Sequence, residues 1–382
     1  MRRPCLLPAA GLLLAVFPRF AIAQTQPPPR LEFGGYVQTQ YENTTEDGVT
    51  EDRVLFRRVM LDVTGRLIEG WVGRVQIDLA PATQSEGITV KDAWLRYTGM
   101  EDRGLTITIG NQKLPYSRSV LTSSSRRGLI ERPLAGERAF GSPGRSLAIK
   151  VDGRLAETVR WSTALASVHH RPDADQIRLD GRAEAEDDWN QGPFVNGRIE
   201  WHPRGTVPLE QGAFDVREFR YTVAAATYYW RNDGDRNIYT DDDADALDAD
   251  AVDLQDAIGF ELSGAIRAPR TSVDIEFQRV AGTTVDSSFI GGIYSDGSTR
   301  LYKSGFEAGY MAIPATLEVL GGFATLAIRD HDAVAYQPAV GLAWYLAQHR
   351  LKFQFMHREE FNAMGISGDR ARATFVQAQY VF

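Results

Sequence analysis

Beyond the first two dozen residues, apolar and polar positions alternate with period two. In Trp71 to Ala80, Trp71, Gly73, Val75, Ile77 and Leu79 fall on one face, and Val72, Arg74, Gln76, Asp78 and Ala80 on the other. Ile258, Phe260, Leu262, Gly264 and Ile266 alternate with Gly259, Glu261, Ser263, Ala265 and Arg267. Val273, Ile275 and Phe277 alternate with Asp274, Glu276 and Gln278, and Leu351, Phe353 and Phe355 with Lys352, Gln354 and Met356. Runs of about ten residues with this pattern are the weak signature of a transmembrane strand. No later segment has the roughly 18 consecutive apolar residues of a membrane-spanning helix, and helical periodicity is scarce.

A soluble β-sandwich would alternate in the same way, with its apolar face inward. Two features favour an all-β transmembrane antiparallel barrel instead. The connections alternate between short and long. Short ones fall at Glu69-Gly70, Gly99 to Gly104, Asp152 to Ala156, Ala268 to Arg270, Pro314, and Ala347 to His349. Long polar ones fall at Asn43 to Asp52, Lys113 to Pro143, Arg171 to Gln191, Arg231 to Asp253, Ala281 to Thr299, and Phe361 to Asp369. Short periplasmic turns and long extracellular loops produce this asymmetry. Pro203 to Arg217 breaks the rule, because it should be a short turn. The second feature is the end of the chain, an alternating run from Thr374 to Phe382. Its terminal aromatics, Tyr380 and Phe382, share a face. They fit the periplasmic aromatic girdle and resemble the signal read by the outer-membrane assembly machinery.

The pattern predicts about sixteen strands: 31–42, 53–67, 71–80, 88–98, 104–112, 145–152, 157–169, 193–202, 218–230, 255–267, 271–280, 300–312, 315–329, 335–347, 349–360 and 371–382. An even number puts both termini on the periplasmic side. A barrel of this size has a water-filled lumen unless something plugs it. The inward faces read as too polar for a packed core.

The N-terminus agrees with export. Arg2 and Arg3 precede an apolar run, Leu6 to Phe17, too short to cross a bilayer, and Ala21-Ile22-Ala23 forms an A-x-A cleavage signal. Residues 1–23 therefore read as a signal peptide, 24–30 as a proline-rich periplasmic lead-in, and 31–382 as the barrel. The alternatives are a membrane anchor or a buried first helix, against which Pro8, Pro18 and Arg19 interrupt the run. Removal of Arg2, Arg3 and Arg19 takes the formal charge from −8 to −11. An acidic chain is a poor nucleic-acid binder. Cys5, the only cysteine, leaves with the signal peptide. Thiol catalysis and cysteine-ligated metals are thereby excluded.

Charge on the inward faces carries the candidate chemistry. With Val59, Leu61 and Val63 facing lipid, Arg58 faces the lumen, and Arg57 joins it only if the strand carries a bulge. The alternative is an arginine pair at the membrane interface. The segment 113–143 is rich in cations and hydroxyls. Folded inward, it would form a constriction lined by Lys113, Arg118, Arg126, Arg127 and Arg132. Rings of such residues select anions and phosphate. The alternative is an outward loop whose cations bind lipopolysaccharide phosphates.

Phe56-Arg57-Arg58, Asp92-Ala93-Trp94-Leu95, Gly110-Asn111-Gln112-Lys113-Leu114-Pro115-Tyr116-Ser117, Leu121-Thr122-Ser123-Ser124, Glu131-Arg132 and Gly144-Arg145 resemble the phosphate-selective porin O and P family. The resemblance covers most of residues 31–155 and, more loosely, the last strand. It implies a sixteen-stranded homotrimeric porin whose third loop folds inward, with anions passing an arginine ladder to a central lysine. By motif position Arg57 and Arg58 would be constriction arginines and Lys113 the central lysine. Asp78, on the lumen face of its strand, is a weaker match to an acidic partner. The later strands depart from the pattern. Glu200, Glu261, Asp274, Glu276, Glu307 and Glu318 share the lumen parity with Arg198, Arg220, Arg267, Lys303 and Lys352.

The resemblance therefore implies passive diffusion of small anions such as phosphate or polyphosphate. A general or organic-solute porin of the same fold is the alternative, followed by a non-conducting surface barrel. The acidic run 241–250 lacks the glycine and terminal glutamate of a calcium loop. It reads as a solvated loop, with a divalent-cation bridge to lipopolysaccharide as the alternative. The six histidines have no metal-ligand spacing, and no phosphate-binding glycine loop occurs. Neither an enzyme, a metal nor a cofactor is expected. The expected partners are small anions, outer-membrane lipid, lipopolysaccharide and the assembly machinery.

Overall fold

The computed structural model describes residues 30–46, 48–84, 87–170, 173–180, 190–234 and 252–382. The signal peptide, the residues before Arg30 and the acidic run 241–250 lie outside them. The strands are β1 (Arg30–Glu46), β2 (Val49–Ile68), β3 (Trp71–Asp78), β4 (Thr89–Tyr97), β5 (Leu105–Lys113), β6 (Arg145–Ala156), β7 (Val159–His170), β8 (Leu179–Asp180), β9 (Asn190–Trp201), β10 (Arg220–Arg231), β11 (Leu254–Ala268), β12 (Thr271–Thr284), β13 (Ser298–Ile313), β14 (Leu317–Ile328), β15 (Val334–Ala347), β16 (Leu351–Phe361) and β17 (Arg370–Val381). Among the described residues, sixteen long strands form the wall, and the two-residue β8 pairs with the end of β7. Every wall strand is antiparallel to its neighbours. The sheet closes because β1 pairs with both β2 and β17. Closure leaves no open sheet edge, as a wall in lipid requires.

The alternation decides what faces lipid. Phe33, Leu95, Leu262 and Val340 point outward and are exposed, while Gln38, Gln278, Gln354 and Gln377 point inward. Outward aromatic pairs collect near the short-turn end: Trp71 with Tyr97, Trp201 with Tyr221, Trp344 with Phe353, and Tyr380 with Phe382. A second set, Phe323, Tyr336 and Phe361, lies toward the other end. Two such belts bracket the hydrocarbon band of an outer-membrane barrel.

Two connections differ from the sequence expectation. The stretch Asn43 to Asp52 is not a long loop. β1 and β2 continue as a paired hairpin from Asn43↔Asp52 to Glu46↔Val49. The connection 202–219, too long for a periplasmic turn, runs back up into the barrel. Its Gln211 N–H donates to Arg126 O at 3.0 Å.

The segment Leu114–Gly144 crosses the lumen, entered through the short helical turn α1 (Arg118–Leu121). It lies against one side of the barrel, and there the expectation of an unpacked interior fails. Leu134, Phe140, Ile177, Tyr228, Trp230 and Val280 form one buried apolar cluster. Leu129, Ile130, Met311, Leu320, Tyr345 and Met356 form a second. An alanine, leucine or tyrosine on the lumen parity is invisible as core until a loop is known to cover it.

Candidate functional site

A β-bulge builds the first part of the site. Gln38 pairs with Arg58 and Thr39 with Phe56, so Arg57 is the extra residue between them. The extra residue shifts the parity of everything before it. Phe56 and Val54 face lipid, and Arg57 and Arg58 both face the lumen. A second bulge repeats the device on β4. Gln76 pairs with Asp92 and Ile77 with Val90, so Lys91 is the extra residue between them. Lys91 and Asp92 then both reach luminal partners. The Lys91 ammonium lies 3.7 Å from Asp78, and Asp92 accepts from Arg145 at 2.7 Å.

The acidic residues of the later strands hold the crossing loop. Arg118 pairs with Asp274 at 2.7 Å, and Arg127 with Glu307 at 2.7 Å. The Ser119 N–H donates to Glu276 at 2.7 Å, and Arg198, itself paired with Glu261 at 2.8 Å, donates to Tyr116 O. The Lys303 ammonium donates to Ser142 Oγ at 2.8 Å, and that of Lys352 to Arg127 O at 2.7 Å. Arg118 and Arg127 are 3% and 1% exposed. They do not line a constriction; they are anchors against the wall. Arg126 points toward the periplasmic turn, 3.4 Å from Glu210. Much of the mixed charge of the later strands thus holds the loop, while Arg220 and Arg267 line a separate cavity of about 470 Å³ beside the 202–219 connection.

The open space lies on the opposite side. A cavity of about 620 Å³ is lined by Arg57, Asp78, Lys91, Glu131, Glu137 and Arg358, among others. Here Glu131 of the loop meets Arg57 of the wall at 3.1 Å. Burial alone would raise the Glu131 carboxyl, but Arg57 and Arg58 outweigh it and hold the group down to about 2. Asp78 accepts from the Val59 and Ala80 N–H groups at 3.2 and 3.1 Å, which fixes it beside Lys91.

Three cations outside that lining have no carboxylate within ion-pair distance among the described residues. Arg58 donates to Gln38 Oε1 at 3.0 Å. The Lys113 ammonium donates to the carbonyls of Val120 and Leu121 at 2.7 and 2.9 Å. Arg132 donates to the carbonyls of Ser119 and Thr122 at 3.1 and 3.4 Å. Lys113 and Arg132 therefore flank the same helical turn, bound only to neutral oxygens. Burial, reinforced by the positive charges of Arg127 and Arg58, pulls Arg132 down to about 9.

Sequence reasoning missed Arg53, Lys91 and Arg358 as charges facing this space, and Arg74 and Arg145 as partners of Asp62 and Asp92. Arg74 was visible by parity, and it sits 3.6 Å from Asp62 and 3.8 Å from Asp92. Lys91 was hidden by its bulge.

Residues 30–203 match the family described as phosphate-selective porin O and P. The matched segment is a little under half of the chain. It carries β1 to β9, including both bulges and the whole crossing loop. No curated protein sequence matches the chain. Among solved structures, the anion-selective porin from Comamonas acidovorans is similar at a TM-score of 0.61 and 14% identity, covering 93% of this chain and 100% of that one. The outer membrane channel DcaP of Acinetobacter baumannii gives 0.59 at 10% identity, over 93% and 97%. The trimer form of OmpT, an outer membrane protein of Vibrio cholerae, gives 0.57 at 10%, over 93% and 99%. At these identities the structures establish the fold. The chain is a closed sixteen-stranded barrel of the outer-membrane porin type.

Proposed function

We propose that this protein is a passive porin of the bacterial outer membrane that favours small anions, phosphate and polyphosphate among them. One observation carries the reading: Arg58, Lys113 and Arg132, half-buried on the wall and the crossing loop, hydrogen-bond only to neutral oxygens. An oxyanion passing them replaces part of its hydration with N–H donors, and the absence of a closed cage lets it leave. Arg57, Arg74, Lys91 and Arg145 add field but are each neutralised by an acid nearby. Arg126 serves the loop's lower contact rather than the path. Asp78 positions Lys91.

The porin O and P match and the anion selectivity named for the Comamonas porin support the same reading. The trimer form of OmpT supports a homotrimer. Export by a cleaved signal peptide and recognition of Tyr380 and Phe382 by the assembly machinery complete the proposal. Those two side chains lie outward at the short-turn end, with ring centroids 6.3 Å apart.

A second reading is favoured by Asp62, Asp78, Asp92 and Glu131, which share the passage with these cations. It is a general or organic-solute porin admitting zwitterions as readily as phosphate. Zero-current potentials in salt gradients test the first reading, and inhibition of chloride current by added phosphate separates the two. Cation preference overturns the first. Anion preference without phosphate inhibition favours the second.

A further inference from the structure

The outward face of β12 to β14 carries a patch that the pore does not use. Arg279 of β12 has its two sequence neighbours, Gln278 and Val280, buried inward, so it projects to the lipid side. Its ladder partners there are Phe260 and Tyr302. Arg300 of β13 lies one diagonal step away, opposite Ala281. Arg329, just past β14, donates its N–H to Arg300 O at 2.9 Å and so stands directly across from Arg300. Three guanidiniums thus adjoin on three consecutive strands of the lipid-facing wall.

Like charges directly opposite one another destabilise a sheet, and here the protein supplies little to offset them. Among the described residues, Arg279 and Arg300 make no ion pair, and the Arg279 Nε is buried without an acceptor. Arg329 pairs with its exposed neighbour Asp330 at 3.3 Å. The position explains the arrangement. The three arginines sit toward the long-loop end, at and above the aromatic rung of Phe260 and Tyr302. The cost of a lipid-facing arginine falls near the interface. That level is where the headgroups of the outer leaflet lie.

We propose that Arg279, Arg300 and Arg329 bind the phosphorylated headgroup of an outer-leaflet glycolipid. A guanidinium fork matches phosphate oxygens in pairs. Three forks on one surface suit a headgroup with more than one phosphate, its acyl chains lying against Phe277, Phe306 and Phe323. The anchored lipid brings the phosphate to the wall from the side, where a free anion in bulk water gains no apolar contact.

Native mass spectrometry of the purified protein in detergent tests this with three probes: bis-phosphorylated lipid A, the same lipid without its phosphates, and inorganic phosphate. The native protein should retain the phosphorylated lipid. The R279Q/R300Q/R329Q variant should bind it about a hundred-fold more weakly, at roughly five-fold per arginine near an anionic headgroup. Conductance should not change, since these side chains lie outside the lumen. Should that variant fail to form a heat-modifiable barrel, R300Q alone should still weaken binding about five-fold. Equal retention of lipid A by either folded variant overturns the proposal. So does equal binding of the phosphate-free lipid, or complete competition by inorganic phosphate at the lipid's own concentration.

Discussion

Arg57 and Arg58 are consecutive in sequence, yet both point into the lumen, because Arg57 occupies a bulge opposite the Gln38–Thr39 step. They have different surroundings. Arg57 is tied to Glu131, while Arg58 donates only to Gln38. Arg58→Ala should therefore reduce anion preference more than Arg57→Ala. One unit charge a few ångströms from the path in water-like surroundings is worth about 1 kcal/mol, roughly five-fold in the permeability ratio. Reversal potentials of the two variants check the order. Equal shifts would show that Glu131 does not neutralise Arg57.

The Arg57–Glu131 contact should also govern acid sensitivity. In the folded protein the two arginines hold the Glu131 carboxyl down to about 2, from its ordinary 4.5. A depressed carboxylate stabilises above its unfolded pKa and loses that contribution as pH falls through the folded one. The loop should stay attached at neutral pH and loosen between about 4.5 and 2, seen as rising current noise. Glu131→Gln should be noisy already at pH 7. A quiet Gln variant would mean that the strap is dispensable.

Attachment of the loop on the other side rests on buried ion pairs. Glu307→Ala leaves Arg127 buried without its partner, and removing one member of such a pair costs about 3–5 kcal/mol. The expected result is a lower temperature for loss of the heat-modifiable form, with fluctuating conductance. An unchanged transition temperature would contradict the anchoring role given to the acidic wall.

The periplasmic turn should respond to mild acid. His349 Nε2 lies 2.8 Å from Gln211 O, and its Nδ1 3.3 Å from the Lys352 ammonium. The fitting tautomer is neutral, donating to Gln211 and accepting from Lys352. Burial, followed by the charge of Lys352, holds His349 well below 6.5. A histidine with a depressed pKa favours the folded state above its unfolded value and loses that as pH falls. Proteolysis within 202–219 should rise below about pH 6.5 in the native protein. His349→Gln, unable to titrate, should show no such rise.

How much of this was legible in the sequence differs from element to element. The wall strands were, because lipid on one side forces a period of two over the length of each strand. The hairpin beyond Asn43 was not, since strands that extend past the membrane into water carry Thr, Glu and Asp instead of an apolar face. Arg57 was legible only conditionally, as parity cannot show a bulge, and Lys91 was lost for that reason. The acidic residues of the later strands were placed correctly on the inward face. Parity does not say whether an inward residue meets water or a loop, so Glu307 and Asp274 read as pore lining when they hold Arg127 and Arg118. Nothing local in Pro203 to Arg217 announced that it turns inward, because its contacts there are with residues far off in sequence, such as Arg118, Arg126 and His349.

The most direct test of the central claim is the zero-current potential of the native channel in a potassium chloride gradient, repeated for Arg58→Glu, Lys113→Glu and Arg132→Glu. Anion preference in the native protein, reduced or reversed in each variant, is the predicted result. Cation preference in the native protein, or a potential indifferent to all three reversals of charge, would contradict it.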